Sequence, residues 1–560
     1  MFIPKRILTE FLPMTDIFQL TYDAGYYMDL ADVYRKEGKP DRAIAALWQA
    51  VRLDGGRAAK KQLAALYAEI DEPMHSNIVY YDMLRTGCSI SDLGGMVKNL
   101  LEMGYDDKVE SFLEKAVALV FSPTRVSTGQ LPDIGMDFGE EEGTEPEIVD
   151  TAGLYNAEIL HQMSDLMMRG DFDKAIQVGM TADPDGDQYY EIIRLVGVSA
   201  VENGDAELVA RVIDTLEQSG NRLLTDKFRV LHAVVCNDRK REREAVRNLA
   251  ETALSGERAD CDEVIDFLID WNSPFLGATV ERMLEVYPYG ENFRLLAALT
   301  AYMAGKTEAG DEHLRFLQDV FPKCFKLPLL ELLRGDPDAD EWWETIDGGP
   351  ALSAYLQRKW DRTVVGKEDS FGEKGIELFR AIVASDDLML LEHAYESLSD
   401  ETRRLYRNLW CEALADPFGA EELKKYLAAR LFDQGFEGRL FVGFAEELNF
   451  CDVAPSRFLK PEGKFYEVFR DGAISLIFDG VQLELKSFDK IVARMAMRKG
   501  FQSLAPNVLE AVAEYLYCDE KNLGNNLEEI AAFYHTTPET VERYVAMYHA
   551  GDLQEQSDRD

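Results

Sequence analysis

Seven cysteines, Cys88, Cys236, Cys261, Cys324, Cys411, Cys451 and Cys518, are scattered along the 560-residue chain, and no two form a C-x-x-C pair. Odd in number and unclustered, they suggest neither a disulfide framework nor a zinc site and read as buried, reduced thiols. Long apolar runs are also missing. No stretch approaches the roughly 18 consecutive apolar residues that would cross a bilayer. The opening "MFIPKRILTEFLPMTD" carries Glu10 and prolines at both ends of its short apolar run, unlike a secretory signal, so a cytoplasmic protein is expected. Basic charge is scarce, with 60 Lys and Arg against 102 Asp and Glu and a net charge of −42. Such a chain repels nucleic-acid phosphates and anionic lipid unless a local basic face reverses the sign.

Motifs of chemistry are lacking too. Gly366-Lys367 in "VVGKEDSFGEKG" has neither the spacing nor the following Ser or Thr of a phosphate loop. The seven histidines never form H-E-x-x-H, and no G-x-S-x-G elbow occurs. The expectation is a protein that catalyses no reaction and needs no cofactor or metal. Trp342-Trp343 reads as a helix start that packs its rings inward.

What is abundant is helical periodicity with small residues at fixed places. In "YYMDLADVYRKEGKPDRAIAALWQAVRLD", Leu30, Ala31 and Tyr34 keep helical spacing, Gly38 and Pro40 interrupt it, and Ala43, Leu47 and Ala50 resume it. This predicts two antiparallel helices, with Gly38 at the turn and Pro40 in the first turn of the second helix. Ala31 and Ala43 are small because closely crossing backbones leave no room for more. The pattern recurs 33 residues on at Leu63, Ala64, Tyr67, Ser76, Tyr80 and Met83. Further copies run through Met96, Leu100 and Gly104, through Met163, Gly170 and Ala175, through Gly197, Ala200 and Gly204, and through Ala298, Ala301, Gly305 and Pro322. The second copy has no turn glycine, and the stretches 233–252 and 267–288 fit loosely.

This sequence resembles the tetratricopeptide repeat (TPR) family over about residues 20–325. The resemblance implies an all-α fold, a right-handed α-solenoid of helical hairpins whose first helices line a concave groove. It also implies a role as a protein–protein interaction scaffold or adaptor. Transferring the family's groove-facing spacing gives Met28, Asp32, Arg35, Lys61, Lys98, Leu160, Ser164, Met167, Arg194, Leu295, Leu299 and Tyr302. Met28 and Asp32 replace the first places of a carboxylate clamp. The expected groove is therefore mixed, with apolar Leu160, Met167, Leu295 and Tyr302 and the cations Arg35, Lys61, Lys98 and Arg194. It suits an acidic, partly apolar peptide or a partner protein.

The organisation read from the chain is repeats over 1–121, a flexible acidic loop over 122–150, further repeats over 151–325 and an irregular helical continuation over 326–445. A small α+β or helical domain follows over 446–550, with a short β-hairpin and three helices, and then a disordered tail over 551–560. The loop holds three prolines, four glycines and eight acids against one arginine, too few apolar groups to offset its ordering entropy. Its Leu131, Ile134, Met136 and Phe138 suggest a docking peptide competing for the groove in cis. "KFYEVFRDGAISLIFDGVQLELKSF" reads as a small β-hairpin or a three-stranded meander, on its Asp-Gly pairs. "NLEEIAAFYHTTPETVERYVAMYH" resembles a helix-turn-helix with His535 at the turn, and gives an alternative function, a TPR-type transcription regulator. Its four acids against one arginine are poor chemistry for phosphate contact.

Overall fold

The computed structural model describes residues 23–86, 90–109, 112–113, 151–336, 341–345, 348–365, 372–445, 447–461, 463–523 and 526–557. The acidic loop expected at 122–150 and its docking peptide lie outside them. The described chain is predominantly helical. It divides into two units, residues 1–126 with 315–560, and residues 127–314.

The first unit begins with α1 (Ala24–Lys36), α2 (Pro40–Arg52), α3 (Gly56–Glu69), α4 (Pro73–Thr86) and α5 (Ile90–Glu102). Asp23 caps α1 by accepting the Tyr26 N–H at 2.9 Å, and Pro40 opens α2 as its position predicts. At the turn between helices, Gly38 takes φ 70°. Left-handed turn residues recur at Asp71, Gly104, Gly170, Gly204, Asn237, Asn272 and Gly305, at intervals of 33 to 35 residues apart from one of 66 that spans the loop segment. Asp and Asn reach this backbone region more readily than other residues with a Cβ. They supply the turn in the second copy and in the two loosely fitting stretches, where no glycine stands at the turn position.

The small residues point inward. Ala43, Ala50, Ala64, Ala175, Ala200 and Ala298 are each 0% exposed. Equivalent helices of successive hairpins also touch, with α3 against α5 in the first unit. In the second unit, helix Thr151–Met168 packs on Tyr189–Glu202, and Tyr189–Glu202 on Arg222–Val235. Second helices do the same, Arg239–Leu254 against Leu276–Leu284. Between these hairpins of the second unit, contacts thus run from first helix to first helix and from second helix to second helix.

The remainder of the first unit has one apolar core running from Leu329 to Tyr548. Helices Leu327–Arg334, Pro350–Thr363, Glu373–Ala384, Leu388–Glu396, Asp400–Ala415 and Glu421–Asp433 feed it, and so do all the helices after residue 460. Trp342 packs against the same core. The core continues across residue 446, where the sequence suggested a domain boundary. Helix Glu421–Asp433 packs on Lys464–Phe478, and the Tyr466 hydroxyl donates to the Phe432 carbonyl at 2.8 Å.

The strands differ from expectation. Residues 464–488, expected as the hairpin, form helix Lys464–Phe478 and the start of Leu485–Met497. Asp471-Gly472 sits in mid-helix, where a Cβ on Gly472 would lie 2.9 Å from the Phe488 ring. That glycine serves a close helix approach, while Gly480 at φ 74° makes the turn. The antiparallel hairpin is instead β1 (Gly438–Gly443) with β2 (Leu448–Val453), pairing Leu440 with Cys451 and Val442 with Asn449. Both its faces are covered. Leu440, Val442, Cys451 and Val453 enter the large core, whereas Phe441 and Leu448 meet Tyr81, Leu84, Leu93, Met96, Leu100 and Phe112 from α4, α5 and the residues after them. Alternation along a strand sends neighbours to opposite faces, so one hairpin joins the N-terminal helices to the C-terminal ones.

Helices Leu485–Met497 and Pro506–Lys521 and the pair Leu527–Phe533 and Pro538–Ser557 stand close to the three helices expected near 487–499, 505–518 and 527–548. The last continues to Ser557, past residue 551 where a disordered tail was expected.

Candidate partner-binding surface

Arg35, Lys61 and Lys98 fall in the first unit, and Leu160, Met167, Arg194, Leu295 and Tyr302 in the second. Each set stands on first helices of hairpins, placed there by the turn register. Met28 is half-buried, Asp32 is exposed, and Ser164 is exposed with its hydroxyl donating to the Leu160 carbonyl at 2.9 Å. Leu160, Met167 and Leu295 are half-buried. Leu299 and Tyr302 do not line a surface. Leu299 is 0% exposed, and the Tyr302 ring packs over Gly310 with its hydroxyl donating to Asp311 at 2.9 Å. A Cβ on Gly310 would lie 2.5 Å from that ring, so the glycine is what admits the tyrosine to the core.

The expected groove cations are all engaged within their own units. Arg35 Nε donates to Glu69 Oε2 at 3.0 Å, from α1 to the end of α3. Lys61 lies 2.9 Å from the buried Asp92 carboxylate, which also holds Arg57. Lys98 pairs with Glu102 at 3.2 Å on the same helix. Arg194 Nε donates to Glu191 at 2.9 Å, a bond that holds the Glu191 carboxyl below its ordinary pKa and raises that of the arginine.

Many of these pairs join residues about one repeat apart. Besides Arg35–Glu69 and Lys61–Asp92 there are Arg282–Glu251 at 3.0 Å, His313–Glu281 at 3.2 Å, His393–Asp361 at 2.8 Å and Arg380–Glu412 at 3.3 Å, as well as Lys227–Glu263. Equivalent positions of neighbouring hairpins meet when the hairpins stack, and acids facing arginine, lysine or histidine there link one to the next. Each exposed pair is worth about 0–1 kcal/mol. Their number matters more for register than for affinity toward a partner.

No protein-family model matches this sequence, and no curated protein matches it either. The surface is therefore read from its own chemistry. Apolar side chains stand exposed near it in the second unit. Met168 is 80% exposed at the end of its first helix, and Met303 is 47% exposed at the equivalent place on helix Glu291–Met303. A cleft of about 280 Å³ opens between helices Thr151–Met168 and Phe172–Gly179, lined by Glu158, Ile159, Gln162, Gln177, Val178 and Thr181. Leu160 and Met167 are not among its walls. Cys261, Cys324, Cys451 and Cys518 are buried, Cys411 is half-buried and Cys236 is exposed. Burial pushes the Cys451 thiol up to about 12, which keeps it protonated.

Among the acids, Glu510 on helix Pro506–Lys521 is strongly perturbed. Burial, with Asp471 and Glu467 nearby and Arg470 opposing, pushes its carboxyl up to about 7. A carboxyl raised by folding contributes stability below its unfolded pKa and loses that contribution as pH rises through the folded one. Because part of the side chain meets water, the effect is about 1 kcal/mol, well under the full shift. Glu510→Gln, which stays neutral, is expected to match the parent chain below the ordinary carboxylate range and to exceed it by about 1 kcal/mol above neutrality. Urea melts across pH check this, and a variant less stable than the parent at alkaline pH would reverse the sign.

Proposed function

We propose that this chain is a non-enzymatic interaction scaffold of the cytoplasm, a right-handed TPR-like solenoid whose layer of first helices binds a peptide or partner protein. The observation that supports this reading is the contact of helix Tyr189–Glu202 with the first helices on either side of it, Thr151–Met168 and Arg222–Val235, which stacks these hairpins rather than leaving them isolated. Half-buried Leu160, Met167 and Leu295, with Met168 exposed beside them, give that layer apolar anchor points. The cations contribute less than their charge suggests, because each already has an acidic neighbour. A partner gains by apolar contact and by exchanging ion pairs, so selectivity for acidic peptides through Arg194 is modest.

Affinity capture from the native cell, comparing the parent chain with Met167→Glu/Arg194→Glu, tests the reading. Both side chains are at least partly in solvent, so the fold is expected to survive and at least one prey to be depleted several-fold. Retention of every prey by a folded variant would sink it.

A second reading, a transcription regulator, has one observation in its favour. Helices Leu527–Phe533 and Pro538–Ser557 meet at a turn where His535 takes φ 51°, the conformation that a turn glycine would supply, and Val541 is fully buried between them. The second helix nonetheless exposes Glu539 and Glu542 beside Arg543. Salt-sensitive binding of duplex DNA is its test.

A further inference from the structure

Leu30 and Val33 of α1 stand 33 residues before Leu63 and Leu66 of α3. On α3, which packs against α2 before it and α4 after it, both leucines are buried, at 0% and 3% exposed. On α1 the same places are open. Val33 is 47% exposed, Leu30 is only half-buried, and Ala31 is the one buried residue of the helix. The two helices differ in what precedes them. α3 has α2 against it, whereas the described residues begin at Asp23, the cap of α1.

The repeat register continues backward through the first 22 residues. Residues 7–19 stand 33 places before α2 (Pro40–Arg52), and residues 20–22 stand 33 places before the connection Leu53–Gly55 that leads into α3. Phe11, Met14, Ile17 and Phe18 hold the places of Ile44, Leu47, Ala50 and Val51, of which the first three are buried and the last half-buried. Pro13 takes the place of Ala46. Proline suits the first turn of a helix, and beyond it Met14, Ile17 and Phe18 keep helical spacing.

Charge and tethering decide between occupants of the α1 face. A second copy would bring together two chains of net charge −42 and double the exposed acids Asp29 and Asp32 at the contact. Residues 1–22 are balanced, with Lys5 and Arg6 against Glu10 and Asp16. They are also joined directly to α1. A short connection gives an attached segment an effective concentration in the millimolar range, which a separate partner seldom reaches. We propose that residues 11–18 cover Leu30 and Val33 of α1 as α2 covers α3, a half-repeat by which the chain closes the open end of its own array. Stacked repeats need such a cap, because an uncovered terminal hairpin leaves its apolar side in water. This seat concerns the end of the stack and does not rest on the proposed role of the first helices.

Hydrogen–deuterium exchange of the full chain is the test, read on residues 8–20 and compared with the same residues in a synthetic peptide of residues 1–22. Exchange slowed by about tenfold or more in the full chain is expected. Val33→Asp is expected to abolish most of that slowing, and Phe18→Ser to do the same from the other side of the contact. Val33 is largely in solvent and Phe18 lies outside α1, so an unchanged circular dichroism spectrum will separate loss of the contact from loss of fold. Exchange at the rate of the free peptide overturns the proposal. Slowing that survives Val33→Asp overturns it as well, since the segment then sits elsewhere. A dimer of the parent chain in sedimentation velocity that Val33→Asp disperses overturns it in favour of a second copy on this face.

Discussion

Replacing Trp360 by alanine is expected to destabilise the first unit by about 3–5 kcal/mol, among the largest effects available to one substitution in this chain. Trp360 is 0% exposed on helix Pro350–Thr363, with its ring 6.4 Å from Phe379 and 6.3 Å from Tyr406. These neighbours belong to two other helices, Glu373–Ala384 and Asp400–Ala415. The indole N–H donates to Ser397 Oγ at 2.8 Å, which ties in the end of helix Leu388–Glu396. Truncation therefore removes a ring shared by four elements and takes the indole donor from Ser397 Oγ, which is left with its bond to the Ala394 carbonyl at 2.8 Å. The cavity cannot close, because its neighbours Phe379 and Tyr406 are held edge to face against each other at 5.2 Å within the same buried core. Urea unfolding followed by tryptophan fluorescence and by circular dichroism is the measurement. A loss under 1 kcal/mol would mean that this core is not the continuous one described.

The second large effect concerns the close helix crossings. Gly197 lies on helix Tyr189–Glu202, and a Cβ there would sit 2.3 Å from Phe228 Cε1 and 2.9 Å from Val212 Cγ1. Phe228 belongs to the first helix of the next hairpin and Val212 to the second helix of the same one. Gly197→Leu must push both apart, and about 3 kcal/mol of destabilisation is expected, at the upper end for overpacking. The gain in helix propensity, about 0.8 kcal/mol, does not offset it. Gly94 is the control. It stands exposed on α5, with nothing within 4 Å of an added Cβ, so Gly94→Ala is expected to stabilise by about 0.5–1 kcal/mol. Thermal melts of the two variants should move in opposite directions. A tolerated Gly197→Leu would remove the packing reason for small residues at the hairpin crossings.

Expectation and fold part company at particular residues. The hairpin at Gly438–Val453 is covered on both faces, so "RLFVG" and "LNFCDV" lack the apolar–polar alternation by which a half-exposed strand is recognised. The opposite error arose at Lys464–Phe478. That helix buries residues around most of its circumference, Phe465, Tyr466, Val468, Phe469, Ile474 and Ile477 among them, and its aromatic and β-branched content imitates a strand. Asp471-Gly472 imitated a turn, although the missing side chain makes room for Phe488. Turn chemistry explains the degenerate repeats as well, since Asp71, Asn237 and Asn272 do the work of glycine and are not glycine. At the candidate surface, helical spacing placed Arg35, Lys61, Lys98 and Arg194 on first helices. It gave no sign that Glu69 and Asp92, about one repeat away, would already occupy the first two, whereas Glu102 and Glu191 stand within local helical reach of the other two.

Sequence alone determined what local physics sets: helices, their period of about 33 residues, and alanine where two backbones cross, because backbone sterics and side-chain volume act over a few residues. Tertiary structure alone decided which charges remain available. An ion pair between residues 31 to 36 apart exists only once hairpins stack, as Lys61–Asp92 and Lys227–Glu263 do. It also decided where the chain closes on itself, for a hairpin buried on both faces owes its form to the helices packed against it.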